Sequence, residues 1–259
     1  MIVVDSSSDQ TSKIVTREFP SIKLIRLEKR AFAGAARNVG ARATRAPYCL
    51  MIDSDCIAAP DVIERAAARH GEGEYAAVGG SLRNGTPRSL SGWIGYLMEF
   101  KEYMPTTPMR LEKTIPTANI LYRRDALERY GYFDEDVWLA EDLLFNWKIY
   151  RSGEQILFDP AIEVTHLNRT GWKEVLSYQI SLGKFSAIAR RRGHLPGEIL
   201  LRHPGLILLL PLMRLKRAFV WTALHDRKAF LVLLLFWPMY LLAASFWTYG
   251  FFEEAVSEM

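Results

Sequence analysis

Two aspartates one residue apart, Asp53 and Asp55, end the run Tyr48-Cys-Leu-Met-Ile-Asp-Ser-Asp55. Carboxylates at i and i+2 on a turning chain can face one cation together, and hard oxygen donors suit Mg²⁺ or Mn²⁺. An ion held that way suits a diphosphate. A lone Asp-x-Asp is more often a solvated acidic turn, so the pair gains weight only from residues elsewhere. A second acidic pair, Glu141-Asp142, opens a helical stretch. There the carboxylates complement the helix dipole by a few tenths to about 1 kcal/mol, which by itself accounts for them. A carboxylate so placed is also a candidate general base toward a hydroxyl. His166 follows an apolar extended run close to Arg169, the placement of a further metal ligand or phosphate contact, although a lone histidine is more often structural.

The elements that would position these groups alternate. Residues 48–52 are apolar without a polar break, the pattern of a fully buried strand in a parallel sheet. Ligands of open α/β sheets sit outside the carboxyl ends of the strands, where Asp53 and Asp55 stand. Residues 2–4 form a β-branched strand ending at Asp5, and a helix over 11–19 stops at Pro20. Residues 22–27 read as the next strand, and the Ala- and Gly-rich 34–43 as a helix that packs closely on a sheet. Pro60 starts a helix to about residue 70, and 76–82 is strand-like. The alternation argues a parallel α/β sheet. Further on, residues 93–103 read as an aromatic helix, 115–123 as extended, and 156–158 and 162–165 as two short strands. A long apolar-periodic helix over 172–191 follows.

The chain has 259 residues, 49% of them hydrophobic, and a formal charge of +4. That length suits one globular domain with an appendage, and so small a charge gives no argument for nucleic acid. Cys49 and Cys56 suit a reducing compartment and neither a disulfide framework nor a zinc site. Basic residues cluster late in the chain, from Lys184 and Arg190 to Arg227 and Lys228, as juxtamembrane residues do beside anionic lipid. Residues 193–228 mix aliphatic runs with Arg214, Lys216 and Arg217, which predicts an interfacial or re-entrant segment. Residues 229–252 carry no charge and are long enough to cross a hydrocarbon core of about 30 Å. With Arg227 and Lys228 in front, the positive-inside rule puts the domain of residues 1–192 on the cytosolic side of an inner membrane.

Four stretches together resemble glycosyltransferase family 2, the inverting enzymes of GT-A fold. They are Ile2-Val-Val-Asp-Ser-Ser-Ser-Asp-Gln-Thr11, Gly34-Ala-Ala-Arg-Asn-Val-Gly40, Met51-Ile-Asp-Ser-Asp55 and Phe133-Asp-Glu-Asp-Val-Trp-Leu-Ala-Glu-Asp-Leu143. Each alone is weak; four in the family's order carry the resemblance across residues 1–192. It implies a Rossmann-like mixed sheet flanked by helices and a nucleotide-diphospho-sugar donor. By the same resemblance, Asp5 recognises the nucleotide base and Arg37 and Asn38 lie near the nucleotide. Asp53 faces the ribose or the metal, and Asp55 is the main metal ligand. Asp142 is the base, with Glu141 positioning it or the acceptor. The acceptor is expected to be a lipid-linked or cell-envelope glycan, and Trp138 a platform for a sugar face or a packing residue.

The sequence departs from the family twice. A strand-helix unit of roughly 30 residues that normally comes first is missing ahead of Ile2. That departure keeps a rival reading alive: a truncated, non-catalytic membrane protein with a vestigial nucleotide pocket. No Gln-x-x-Arg-Trp follows Asp142, which implies single transfer rather than polymerisation. A nucleotidyltransferase is disfavoured because no glycine-rich basic loop stands near Ile2.

Overall fold

The computed structural model describes residues 1–257. Strand β1 (Ile2–Asp5) runs through helix α1 (Thr11–Glu18) into β2 (Lys23–Arg26), and the two strands pair in parallel as a small separate sheet. Helix α2 (Ala33–Arg42) rests on β1 and shares a core cluster, through Ala41, with Cys49 and Met51 of β3 (Tyr48–Ile52). Its small residues permit this: a Cβ on Gly40 would stand 3.4 Å from Val4.

The main sheet has six strands and is mixed. After β3 come β4 (Cys56–Ala58), α3 (Val62–Gly71), β5 (Tyr75–Asn84), α4 (Leu90–Phe100), β6 (Arg110–Glu112) and β7 (Asn119–Arg123). Then follow α5 (Arg124–Arg129), α6 (Glu141–Arg151) and β8 (Gln155–His166). The order is β3-β7-β5-β8-β4, with β6 also on β8. In this sheet only β5 and β8 are parallel, since β7 enters antiparallel between β3 and β5.

The parallel sheet expected around residues 48–52 is therefore not what forms. β3 ends the sheet, with Cys49 and Met51 buried and Tyr48 and Ile52 exposed. An unbroken apolar run implies burial on both faces only when both are covered. Here the Tyr48 side has partial cover, its ring 4.7 Å from that of His70. The two short strands expected over 156–165 are one strand, β8, whose register against β5 jumps between Gly80↔Asp159 and Ser81↔Glu163. Asn119 secures the jump by donating to the carbonyls of Ser81 (3.1 Å) and Ile162 (2.9 Å). Gly80 is needed there, because a Cβ would lie 1.9 Å from the Ile162 carbonyl oxygen.

The rest of the chain is helical: α7 (Trp172–Gly193), the short α8 (Ile199–Arg202), α9 (Leu210–His225) and α10 (Arg227–Val256). By length and composition α10 can cross a membrane. It bends at Phe236, two residues before Pro238, whose ring crowds the preceding turn and whose nitrogen has no proton to donate. The sequence suggests a membrane span over 229–252, and the second half of α10 lies along α7. Ala243, Ala244, Trp247 and Phe251 are buried there, while Leu231, Leu234, Leu235, Trp237 and Tyr249 face outward. Hydropathy alone could not separate these two faces, because the small residues of the buried face are apolar too.

Two glycines set the α7–α10 crossing. A Cβ on Gly183 would stand 1.8 Å from the Trp247 carbonyl oxygen, and one on Gly250 would stand 2.0 Å from that of Ile180. Beyond the crossing, Glu254 pairs with Arg191 at 3.0 Å. Gly250→Ala is expected to destabilise the fold by about 1–3 kcal/mol through overpacking. Gly71→Ala, with nothing within 4 Å of the added carbon, should be neutral or stabilising. Denaturant unfolding of both variants checks the contrast.

Candidate active site

At the ends of β3, β7 and β8, where α6 begins, lies a cavity of about 500 Å³. Its lining includes Arg37, Asp53, Asp55, Glu141, Asp142 and His166, so four separate stretches of sequence converge on one space. A larger open groove of about 740 Å³ follows α1, lined by Gln10, Ser12, Lys13 and Arg17. That groove gathers no carboxylate or imidazole.

Arg37, projecting from α2, ties the acidic groups together. One guanidinium nitrogen donates to Asp53 Oδ1 at 2.5 Å and the other to Glu141 Oε1. Burial opposes the charge on Arg37, but Asp53, Glu141 and Asp142 outweigh it and raise its pKa. Small side chains let α2 come this close: a Cβ on Gly34 would lie 2.6 Å from the Asp134 carbonyl oxygen. The guanidinium that the resemblance puts near the nucleotide thus has its two hydrogen-bonding faces on carboxylates.

The acidic pair stands at the start of α6, after Ala140 in the left-handed region (φ 69°). Burial is the first cause that raises both carboxyl pKa values, with Asp142 adding to the rise at Glu141 and Arg37 pulling both down. Asp142 Oδ2 accepts from the Thr117 amide at 3.3 Å and Oδ1 from the Leu143 amide at 2.7 Å. Glu141 is the more enclosed and is spoken for by Arg37; Asp142 is only half-buried.

Register brings the metal candidates together. β4 pairs antiparallel with β8 so that Cys56 stands opposite His166. The donor atoms of Asp55, Cys56 and His166 lie within 4.8 Å of one another, and His166 Nε2 is 3.6 Å from Asp55 Oδ1. His166 Nδ1 faces Asn168 Oδ1 at 3.0 Å, while Asn168 Nδ2 donates to Asn84 and Thr86. With the Asn168 oxygen accepting, the imidazole proton sits on Nδ1 and the Nε2 lone pair points at Asp55, an orientation typical of metal-binding histidines. These carboxylate and imidazole donors fit a divalent cation, and the nitrogen suits Mn²⁺ better than Mg²⁺. Burial first, then Asp53 and Asp55, push the Cys56 thiol up to about 12, so it is a neutral neighbour of the oxygen and nitrogen donors.

Two expected residues lie elsewhere. Asn38 is buried with its amide committed: Nδ2 donates to the Phe133 carbonyl and Glu135, and Oδ1 accepts from the Phe133 amide. It clamps α2 to the segment before α6 and does not line the cavity. Asp5 is also outside that lining. Its carboxylate accepts from the Ser7 amide (2.8 Å), Ser12 and Arg26 (3.1 Å), fastening β1 to α1 and β2. Trp138 does line the cavity, with its ring edge-on to Phe185 at 5.8 Å.

Residues that sequence reasoning passed over fill the far end of the cavity: Glu99 of α4, Tyr178 and Gln179 of α7, and Trp247 of α10. Gln179 Nε2 donates to Glu99 at 3.2 Å. A glutamate and a glutamine inside otherwise apolar helical runs were the available signal.

With this geometry in hand, likeness to known proteins is informative. Residues 1–131 match the family model described as glycosyl transferase family 2. The poly(ribitol-phosphate) beta-N-acetylglucosaminyltransferase TarS of Staphylococcus aureus (strain MW2) is 29% identical over 166 residues, 60% of this chain and 27% of that protein. The pre-mycofactocin glycosyltransferase of Mycobacterium tuberculosis (strain CDC 1551 / Oshkosh) is 22% identical over 173 residues, 59% of this chain and 34% of that protein. The chain thus spans about a quarter to a third of these curated relatives. Among solved structures, the mannosyltransferase PcManGT from Pyrobaculum calidifontis, bound to GDP-Man and Mn²⁺, superposes with TM-score 0.60 at 20% identity. It covers 99% of this chain and 76% of its own. S. aureus TarS 1–349 with UDP-GlcNAc gives TM-score 0.51 at 22% identity, covering 99% and 82%. These likenesses show the GT-A fold. Since 131 of its 259 residues match the family model, just over half, the chain belongs to glycosyl transferase family 2.

Proposed function

We propose that this chain is a metal-dependent, inverting glycosyltransferase attached to the cytosolic face of the inner membrane. It would pass a sugar from a nucleoside-diphosphate donor to a lipid-linked or cell-envelope glycan acceptor. The observation that carries the proposal is the meeting of Asp53, Asp55 and His166 with Glu141 and Asp142 on one cavity. The donors UDP-GlcNAc and GDP-Man of the structural neighbours are the first to try.

In this reading Asp55, His166 and Asp53 hold the cation. Bound there, it supplies Lewis-acid charge to the departing diphosphate. Asp142 takes the proton of the acceptor hydroxyl as that oxygen attacks the anomeric carbon from the side opposite the leaving group. One displacement inverts the centre, and no second carboxylate is needed as nucleophile. Arg37 bridges Glu141 and Asp53 and fixes them in place, so that Glu141 positions and Asp142 reacts. Asp5, at the end of β1, is assigned to the nucleobase edge beyond the cavity. Without the Gln-x-x-Arg-Trp motif, the assignment is single transfer.

Membrane attachment rests on the outer faces of α9, of the 3-10 turn that leads into it (Pro204–Leu209) and of α10. Leu208, Leu212, Met213, Leu224 and Leu235 are each 60–73% exposed, with Arg202, Lys216, Arg227 and Lys228 in the same segment. An apolar face bordered by cations suits seating in the plane of an anionic bilayer.

Membrane preparations with Mn²⁺ should turn over one of these nucleotide sugars. Asp142→Asn should lower the rate by about 10²–10⁴-fold, and Asp55→Ala should abolish its metal dependence. Unchanged turnover in both variants sinks the proposal. The raised carboxyl pKa values of the acidic pair predict that kcat/KM falls with acidification from well above the ordinary carboxylate range, because the base must be ionised to act. Removing Arg37, which pulls those values down, as Arg37→Met should move that limb to still higher pH, read from the pH–rate profile. Leu208→Glu with Leu212→Glu should release protein from phosphatidylglycerol vesicles in a co-sedimentation assay.

A further inference from the structure

The far end of the cavity holds two arginines that the scheme above leaves unused. Arg190 of α7 and Arg214 of α9 both line it, next to Trp247 of α10. Among the described residues neither takes part in an ion pair. Arg190 donates only to the Ser186 carbonyl (2.9 Å) and hydroxyl, and stacks over Phe251 with its charge 5.7 Å from the ring centre. Arg214 lies 4.2 Å over the ring of Trp247 and reaches the Met98 carbonyl at 3.5 Å. Its Nε is shut off from solvent with no hydrogen-bond partner.

This contrasts with Arg37, Arg69, Arg83, Arg110 and Arg123, which each pair with a carboxylate. Withdrawing a cation from water without an anion is costly, and withdrawing two side by side costs more. Burial, followed by the repulsion of Arg214, brings Arg190 down to about 10. Glu99 is the carboxylate lining this end. It is held by Gln179, and burial pushes it up to about 7, so it is only partly charged at neutral pH. Arg169, exposed at the same cavity and stacked 3.5 Å over Tyr178, adds a third cation without an ion-pair partner among the described residues.

We infer that Arg190 and Arg214 form an anion subsite that takes a phosphate group of the acceptor. Guanidinium donors recognise phosphate through charge-assisted hydrogen bonds, and a phosphate there supplies the counter-charge the fold withholds. The subsite shares one cavity with Asp142, so an acceptor anchored by its phosphate extends its hydroxyl toward the base. Arg214 sits on α9, whose outer face carries the exposed Leu212 and Leu224, so the site adjoins the surface proposed to meet the bilayer. The assignment deepens the transferase proposal and rests on it for the word acceptor; the anion site itself does not.

The test is binding, independent of turnover. Full-length protein in detergent, with EDTA present so that no metal-bound phosphate contributes, is titrated calorimetrically with inorganic phosphate. Farnesyl phosphate and glycerol 3-phosphate are titrated in the same way. Arg214→Met and Arg190→Met should each weaken phosphate at least about 10-fold, the scale of a lost hydrogen bond to a charged group. Without phosphate, neither variant should melt lower than the parent, because the replacement removes an uncompensated buried charge. Tighter binding of farnesyl phosphate than of glycerol 3-phosphate identifies a lipid source for the phosphate, and the reverse order a polyol phosphate. Equal phosphate affinity in the parent and both variants overturns the site. Displacement of phosphate by UDP with Mn²⁺ overturns its assignment to the acceptor and gives it to the donor. Failure of the transferase proposal would show instead as absent turnover with phosphate binding intact.

Discussion

The active-site end of the molecule depends on one guanidinium. Arg37 holds Asp53, from the end of β3, and Glu141, from the start of α6, in a single bridge more than a hundred residues wide in sequence. Without it, several carboxylates would face one another at short range in a half-dry cavity, and like charges there repel strongly. With it, the carboxyl pKa values of Glu141 and Asp142 are pulled back down against burial, and Asp53 and Glu141 keep fixed separations. α2 is free of bulky residues at its contact face for this reason, since Gly34 must pass the backbone of Asp134. Asn38, one residue beyond Arg37, clamps the same helix to residues 133–135 and so fixes where the guanidinium points.

The second organising constraint is the pairing of β4 with β8. It sets Cys56 opposite His166, which brings the imidazole to Asp55. The Asn168–Asn84–Thr86 network behind the ring turns its bare nitrogen toward the carboxylate. Two loops that are remote in sequence thus become one donor set through a three-residue ladder.

Much of this was legible in the residues themselves. The strand ends carrying Asp5, Asp53 and His166 and the helix opening at Glu141 all lie where pattern and punctuation put them. The carboxylates of 53, 55, 141 and 142 do converge. The partners were not legible. Nothing local in the sequence shows that Arg37 meets two carboxylates from distant segments. Asn38 looked available because side-chain amides are equally common in clamps. β3 read as a central strand because an apolar run reports how hydrophobic its neighbours are, not how many strands flank it. The double use of α10 was hidden for a similar reason: alanine, glycine and tryptophan score as apolar against lipid or against α7. Arg190 and Arg214 sit in basic stretches that read as juxtamembrane and interfacial, and only the tertiary packing folds them inward.

The glycine-to-backbone contact between α7 and α10 has a mechanical consequence. With Gly183 against Trp247 and Gly250 against Ile180, the two helices touch main chain to main chain and cannot slide past one another without collision. α7 carries Arg190, and α10 presents Leu235 and Tyr249 outward. Beyond the bend at Phe236, α10 and α7 therefore shift only as one piece, and any displacement of the outer helix there is passed on to Arg190 at the cavity wall.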